Sequence, residues 1–408
     1  MNTKIRLTLM NFLQYAVWGA WLISLGAYLG NTLKFDGLQI GSFFATMGIA
    51  SLFMPAVMGI IADRWIPAQR LLGLCHLFAA GFITLAATRT DYNSLYTLVL
   101  LSVMFYMPTI ALSNSVAYNA LEKAGLDTVT HFPPIRVWGT VGFICAMWVV
   151  DLGKMGLSAT QLYFSATLGL ILGLYSFTLP NCPINRSGGG KSIVDLLGLR
   201  AFALFKQRKM AIFFIFSMLL GMSLQITNAF ADGYIKSFGD TGIHGAKYLG
   251  TFGVEHSTIL ISLSQISETL CILLIPFFLK RFGIKRVMLI ALFAWVLRLA
   301  LLGAGNPGPG VWMFILSMIV YGVAFDFFNI SGSLFVEKET SAAIRSSAQG
   351  VFMIMTNGLG ALIGSYLAGW VVNHYGWPLS WYLFAGFSLV VAIVFAVIFK
   401  YKHDPNRI

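Results

Sequence analysis

The chain has 408 residues, of which 58% are hydrophobic and only 10% charged, and its mean hydropathy is +0.79. About a quarter of a soluble domain's residues are charged, so this composition excludes a soluble globular protein and calls for a polytopic membrane protein. The formal net charge of +12 does not point to nucleic acid, because no basic face or recognition motif accompanies it and Lys and Arg gather in the cytoplasmic loops of membrane proteins.

Apolar runs long enough to cross about 30 Å of hydrocarbon recur near residues 7–30, 39–62, 71–89, 95–120, 134–152 and 161–180, then 210–236, 256–280, 286–304, 311–335, 343–373 and 379–400. The expectation is an all-α polytopic membrane protein with twelve transmembrane helices in two pseudo-symmetric six-helix bundles. Residues 1–180 would form the first bundle, 181–209 a cytoplasmic linker and 210–408 the second bundle. Only Lys4 and Arg6 precede the first span and no small-residue cleavage site follows, so it reads as a retained helix and not a signal peptide. The linker contains Ser187-Gly-Gly-Gly-Lys-Ser192, which invites a P-loop reading. Asn185 stands where the first glycine is required and no strand precedes it, so flexible linker is the better reading.

Basic residues favour one set of helix ends by about four to one, with Arg64, Arg70, Lys280, Arg281, Lys285 and Arg286 on the rich side and Lys34, Arg89, Lys154, Lys236 and Lys247 on the poor side. That bias places both termini and the linker in the cytoplasm. Cys75, Cys145, Cys182 and Cys271 have neither metal nor disulfide spacing and read as free thiols. The six histidines form no HExxH pair, and neither a nucleophile elbow nor CxxC occurs, so no catalytic residues, cofactor or metal are expected.

Four charged side chains are embedded in apolar runs: Arg136, Glu268, Arg298 and Asp326. An ionised group at bilayer depth costs several kcal/mol unless paired, so these residues mark a polar interior. Arg136 on span 5 and Glu268 on span 8 are expected to approach each other across the two halves. Arg298 on span 9 would then meet Asp326 on span 10.

Span 5 opens on Phe132-Pro133-Pro134, with the prolines fitting a helix's first turn. Arg136, Thr140 and Phe143 then share one face at i, i+4 and i+7, and Gly139 and Gly142 would permit close helix contact. Gln225 and Asn228 on span 7 repeat the i, i+3 spacing of Gln265 and Glu268 on span 8. Amides donate and accept while a carboxylate accepts strongly, which suits vicinal hydroxyls or the edge of a heterocycle; the plain alternative is interhelical glue. Tyr321 and Phe325 on span 10 share a face and stand beside Asp326 and Asn329, which favours a binding wall over simple packing. Gln14, Trp18 and Trp21 on span 1 are weaker cavity candidates.

The link Gly59-Ile-Ile-Ala-Asp63-Arg64 resembles the loop signature of the major facilitator superfamily, departing from it at Trp65-Ile-Pro. His131-Phe-Pro-Pro-Ile-Arg136-Val-Trp-Gly-Thr140, Gln225-Ile-Thr-Asn228, Ser262-Leu-Ser-Gln265-Ile-Ser-Glu268-Thr, Phe325-Asp326-Phe-Phe-Asn329-Ile-Ser-Gly and Ser347-Ala-Gln349-Gly resemble the nucleoside:proton symporter family of that superfamily. The resemblance implies the major facilitator fold. It also implies a nucleoside site carried by Arg136, Thr140, Phe143, Gln225, Asn228, Gln265, Glu268, Tyr321 and Phe325. The linker and Ser237–Glu255 show no such match.

The expected function is proton-coupled nucleoside import by alternating access, in a bacterial inner membrane, by a monomer whose partners are nucleoside, protons and lipid. Glu268 is the expected proton carrier, with Asp326 as the alternative. A sugar or polyol:proton symporter on the same fold is the competing reading, since it too uses amides and a carboxylate; a membrane enzyme and a receptor are more remote.

Overall fold

The computed structural model describes residues 2–184, 199–241, 246–341 and 344–401. Most of the expected linker, including its glycine run, and the basic C-terminal tail lie outside these residues. No strand occurs among the described residues. The helices are α1 (Thr3–Gly19), α2 (Gly37–Arg64), α3 (Ala68–Ala86), α4 (Tyr92–Lys123), α5 (Thr128–Leu152), α6 (Thr160–Ser176), α7 (Arg208–Ser237), α8 (Ser257–Ala304), α9 (Val311–Glu339), α10 (Arg345–Met353), α11 (Ala361–Tyr375) and α12 (Leu379–Ile398).

Nine described helices are long and apolar enough to cross a membrane. One of them, α8, has 48 residues. At 1.5 Å per residue it would measure about 72 Å, more than twice the hydrocarbon thickness. It is two crossings joined at Gly283, whose φ of 75° breaks the helix inside the basic link Lys280-Arg-Phe-Gly-Ile-Lys-Arg286. Glycine alone adopts that conformation without strain. Helices α1 and α6, at 17 residues each, supply two further apolar runs, consistent with twelve spans.

The chain divides into two compact units, Met1–Phe35 with Thr46–Leu197, and Asp36–Ala45 with Gly198–Ile408. The start of α2 therefore clusters with the second unit, where the Gly37 N–H donates to Asn373 on α11. In the first unit, α1 packs on α5 and α6, and α3 on α4 and α6. Leu7, Leu72, Val116, Leu121 and Leu172 are fully buried there. In the second unit, α8 packs on α9 and α12, and an aromatic core joins Phe213 to Phe335 at 4.8 Å and to Phe352 at 5.2 Å.

Two local expectations are corrected. The apolar run 7–30 is not one helix: α1 stops at Gly19 and a bend leads to short helical turns at Leu25–Ala27 and Tyr28–Thr32. Ser24 in the bend donates to the buried Gln161 of α6 at 2.7 Å, a polar tie that hydropathy does not register. Helix α5 begins before its prolines, at Thr128, because Asp127 accepts from the Thr130 N–H at 2.9 Å and starts the helix one turn early. A second cap of this kind opens α4, where the Ser94 N–H donates to Asp91 at 2.9 Å and holds its carboxyl below the usual range.

Candidate functional site

Within the first unit the candidate face is built on α1 and α5. A Cβ at Gly142 would collide with the Phe12 carbonyl, so glycine is what lets these two helices close on each other. Close contact brings the Arg136 guanidinium to 3.9 Å from the centre of the Tyr15 ring. It also sets Phe143, 8% exposed, edge-on to Trp18 at 6.4 Å. Thr140, half-buried, lies between them along α5.

A buried polar network fixes this face from behind. Gln14 donates to Thr109 at 2.7 Å, its carbonyl lies 2.8 Å from His76 Nε2, and Tyr106 donates to the Gln14 backbone carbonyl at 2.7 Å. Tyr106 in turn packs against Trp18 at 5.8 Å. Gln14 and Trp18 were suggested by sequence; Tyr15 and His76 were not, because an aromatic and a lone histidine in an apolar run carry no pattern of their own.

The other candidates belong to the second unit. Gln225 on α7 is 4% exposed, and its Oε1 has no hydrogen-bond partner among the described residues. Asn228, Gln265 and Glu268 are half-buried. On α9 the rings of Tyr321 and Phe325 stack at 5.5 Å and 12°, as their i, i+4 spacing predicts. Tyr321 lies within electrostatic reach of Glu268, Arg298 and Asp326. The carboxylates of Glu268 and Asp326 also feel each other's charge. Asp326 is 5% exposed, and its Oδ2 lacks a partner among the described residues.

The expected pairing of Arg298 with Asp326 does not occur. Arg298 donates to the Ser317 carbonyl at 2.8 Å and lies 4.5 Å from the Tyr321 ring centre. Ser317 precedes Asp326 on α9 by about 14 Å of helix, beyond one side chain's span. Arg298 is a brace between α8 and α9, and Asp326 is left to other company. A third embedded acid escaped notice in the sequence: Asp232, 2% exposed, pairs with Lys236 at 2.7 Å and accepts from Ser257 and Thr258. The i, i+4 spacing to Lys236 was its available signal. Its partners are complete, so its role is to tie α7 to the start of α8.

These faces offer flat rings, a buried amide acceptor at Gln225 with no partner among the described residues, and a pair of acids, within helices that a membrane would surround. The family model described as "Nucleoside H+ symporter" matches residues 1–404. The chain belongs to the nucleoside:proton symporter family. It is 50% identical to the nucleoside permease NupG of Escherichia coli (strain K12), over 99% of this chain and 97% of that one. It is 49% identical to the xanthosine permease of the same organism, over 100% and 98%. A crystal structure of the nucleoside transporter NupG superposes with a TM-score of 0.91 at 51% identity, covering 98% of this chain and all of that one. The D-xylose-proton symporter, TM-score 0.72 at 13% identity over 97% of each chain, shares the fold alone. As a member of this family, the chain is a proton-coupled nucleoside importer with the major facilitator fold, working by alternating access.

Proposed function

We propose that nucleoside binds to Arg136, Thr140 and Phe143 of the first unit and to Gln225, Asn228, Gln265, Glu268, Tyr321 and Phe325 of the second. The observation that carries this reading is the second unit's combination of stacked Tyr321 and Phe325 rings with unpartnered buried acceptors at Gln225 and Asp326. Rings pack on the flat base, while the unmatched acceptors are satisfied by hydroxyl and amino donors of the ligand. A nucleoside is uncharged, which agrees with the near balance of embedded acids and bases.

Proton coupling is assigned to Glu268, with Asp326 as its close alternative. Both acids lie within membrane-spanning helices, where an embedded carboxyl marks a proton or substrate pathway. In this reading Arg136 is the switching partner: its approach to Glu268 expels the proton, and its withdrawal restores proton affinity.

The reading further holds that residues 1–180 and 210–408 are the two moving bundles, joined by a cytoplasmic linker at 181–209. The chain would act as a monomer in lipid, in a bacterial inner membrane, with both termini in the cytoplasm and no enzymatic turnover. Support for the orientation comes from the basic link at Gly283 and the Lys and Arg bias.

Competition against labelled uridine uptake tests the substrate class. Adenosine, cytidine and xanthosine compete, and xylose and lactose do not; competition by the sugars alone would favour the sugar symporter. Arg136→Ala weakens binding of every nucleoside, and unchanged affinity would remove Arg136 from the site.

A further inference from the structure

We propose that Arg298 is a positioning residue for nucleoside binding, which acts by holding the Tyr321 ring in place within the Tyr321–Phe325 wall. The role rests on the substrate reading above and adds a residue that reading does not contain. A charged side chain at bilayer depth is costly to keep and marks function by default. Arg298 is buried on the second crossing of α8.

Polar contacts fix the guanidinium against α9. Arg298 Nη1 donates to the Ser317 carbonyl at 2.8 Å, and Ser317 Oγ donates back to the Arg298 carbonyl at 2.9 Å. Ser317 and Tyr321, four residues apart, share a face of α9. The guanidinium held on Ser317 therefore also lies 4.5 Å from the Tyr321 ring centre. A cation over an aromatic face is attracted to it, and more strongly where water is excluded. The Arg298 Nε–H, by contrast, has no partner among the described residues. A buried donor left unmatched costs stability, and an apolar side chain of similar volume is often as stable as a buried charge. Helix cohesion alone is thus a poor reason for an arginine here; a ring to hold is a better one.

Trp295 completes the grip from one turn earlier on α8. Its fully buried ring meets Tyr321 edge-on, at 6.1 Å and 90°, and lies 5.9 Å from the Arg298 guanidinium. From its own helix Tyr321 meets the parallel Phe325 ring at 5.5 Å and 12°. Exposure rises along this series, from Arg298 at 3% through Tyr321 at 8% to the half-buried Phe325. The cation stands at the closed end and the accessible ring at the other, so Arg298 acts on the base through the rings. What it supplies is preorganisation: a wall already in its bound orientation does not have to be ordered by the ligand.

The test is a double-mutant cycle on Arg298 and Tyr321, with the purified full chain and bound labelled uridine displaced by unlabelled uridine. Ordering one such side chain on binding corresponds to about twofold to twelvefold in affinity. Arg298→Met should therefore weaken uridine binding about fivefold, near the middle of that range. Once Tyr321 is already Leu, the same change should alter nothing, because no ring is left to hold. Arg298→Lys keeps a cation beside the ring but not the flat fork, so it should lose about twofold, and again nothing in the Tyr321→Leu background. If Arg298→Met does not assemble, the Lys variant carries the cycle. No loss in Arg298→Met, or equal losses in both backgrounds, overturns the positioning role, since a plain brace between helices acts whether or not the ring is present. If Tyr321→Leu alone leaves uridine affinity unchanged, the failure belongs to the wider site reading, and the positioning role falls with it.

Discussion

At the scale of single residues, the charges in this protein are managed by unlike means. Arg298 spends its guanidinium on a carbonyl and an aromatic ring, Arg136 lies over Tyr15, and Asp232 is fully paired. Glu268 and Asp326 are the two embedded acids within electrostatic reach of each other. Glu268→Gln should therefore retain nucleoside exchange while losing accumulation driven by a pH gradient. Counterflow and gradient-driven uptake in the same vesicles separate the two, and normal uphill uptake would transfer the coupling role to Asp326. Tyr15 gives a second residue-scale prediction. A cation–π contact contributes about 0.5–2 kcal/mol, so Tyr15→Leu should weaken nucleoside affinity about twofold to thirtyfold. Tyr15→Phe, which keeps the ring, should stay near wild type in the same displacement assay.

At the scale of elements, glycine and polar ties do what hydropathy cannot express. Contact between α1 and α5 depends on Gly142 lying against the Phe12 backbone. Gly142→Leu would force these helices apart and disturb both the Arg136–Tyr15 and Phe143–Trp18 contacts. The expected result is a destabilisation of about 1–3 kcal/mol, read as a lower thermal midpoint in detergent, together with weaker nucleoside binding. The π-helix at Ile354–Gly360 belongs to this scale as well. The sequence showed a single apolar run from 343 to 373, and nothing in its composition marked the widened turn.

At the scale of the whole molecule, apolar run lengths made the fold class legible, because each run must satisfy its backbone internally in lipid. Orientation is tested here: a tag at either terminus should be reached by an impermeant label only from the cytoplasmic side of sealed vesicles. Labelling of either terminus from outside would contradict the basic-residue argument. The boundary of the contact-defined units at Leu197–Gly198 falls within the polar stretch between the two sets of spans, while the start of α2 sits with the second unit. Sequence order alone would have kept all of α2 with the first.

The sequence by itself determined the membrane class, the α-helical architecture, the family and the candidate faces. These follow from hydrophobic length and from i, i+3 and i+4 spacing, which are local properties of a helix. Only the tertiary structure decided which embedded charges are spent on partners. It turned Arg298 away from Asp326, brought Tyr15 under Arg136, and set Arg298 and Trp295 against the Tyr321 ring. The reason is physical: hydropathy records what a side chain costs in lipid, whereas pairing depends on the rotation and depth at which neighbouring helices meet.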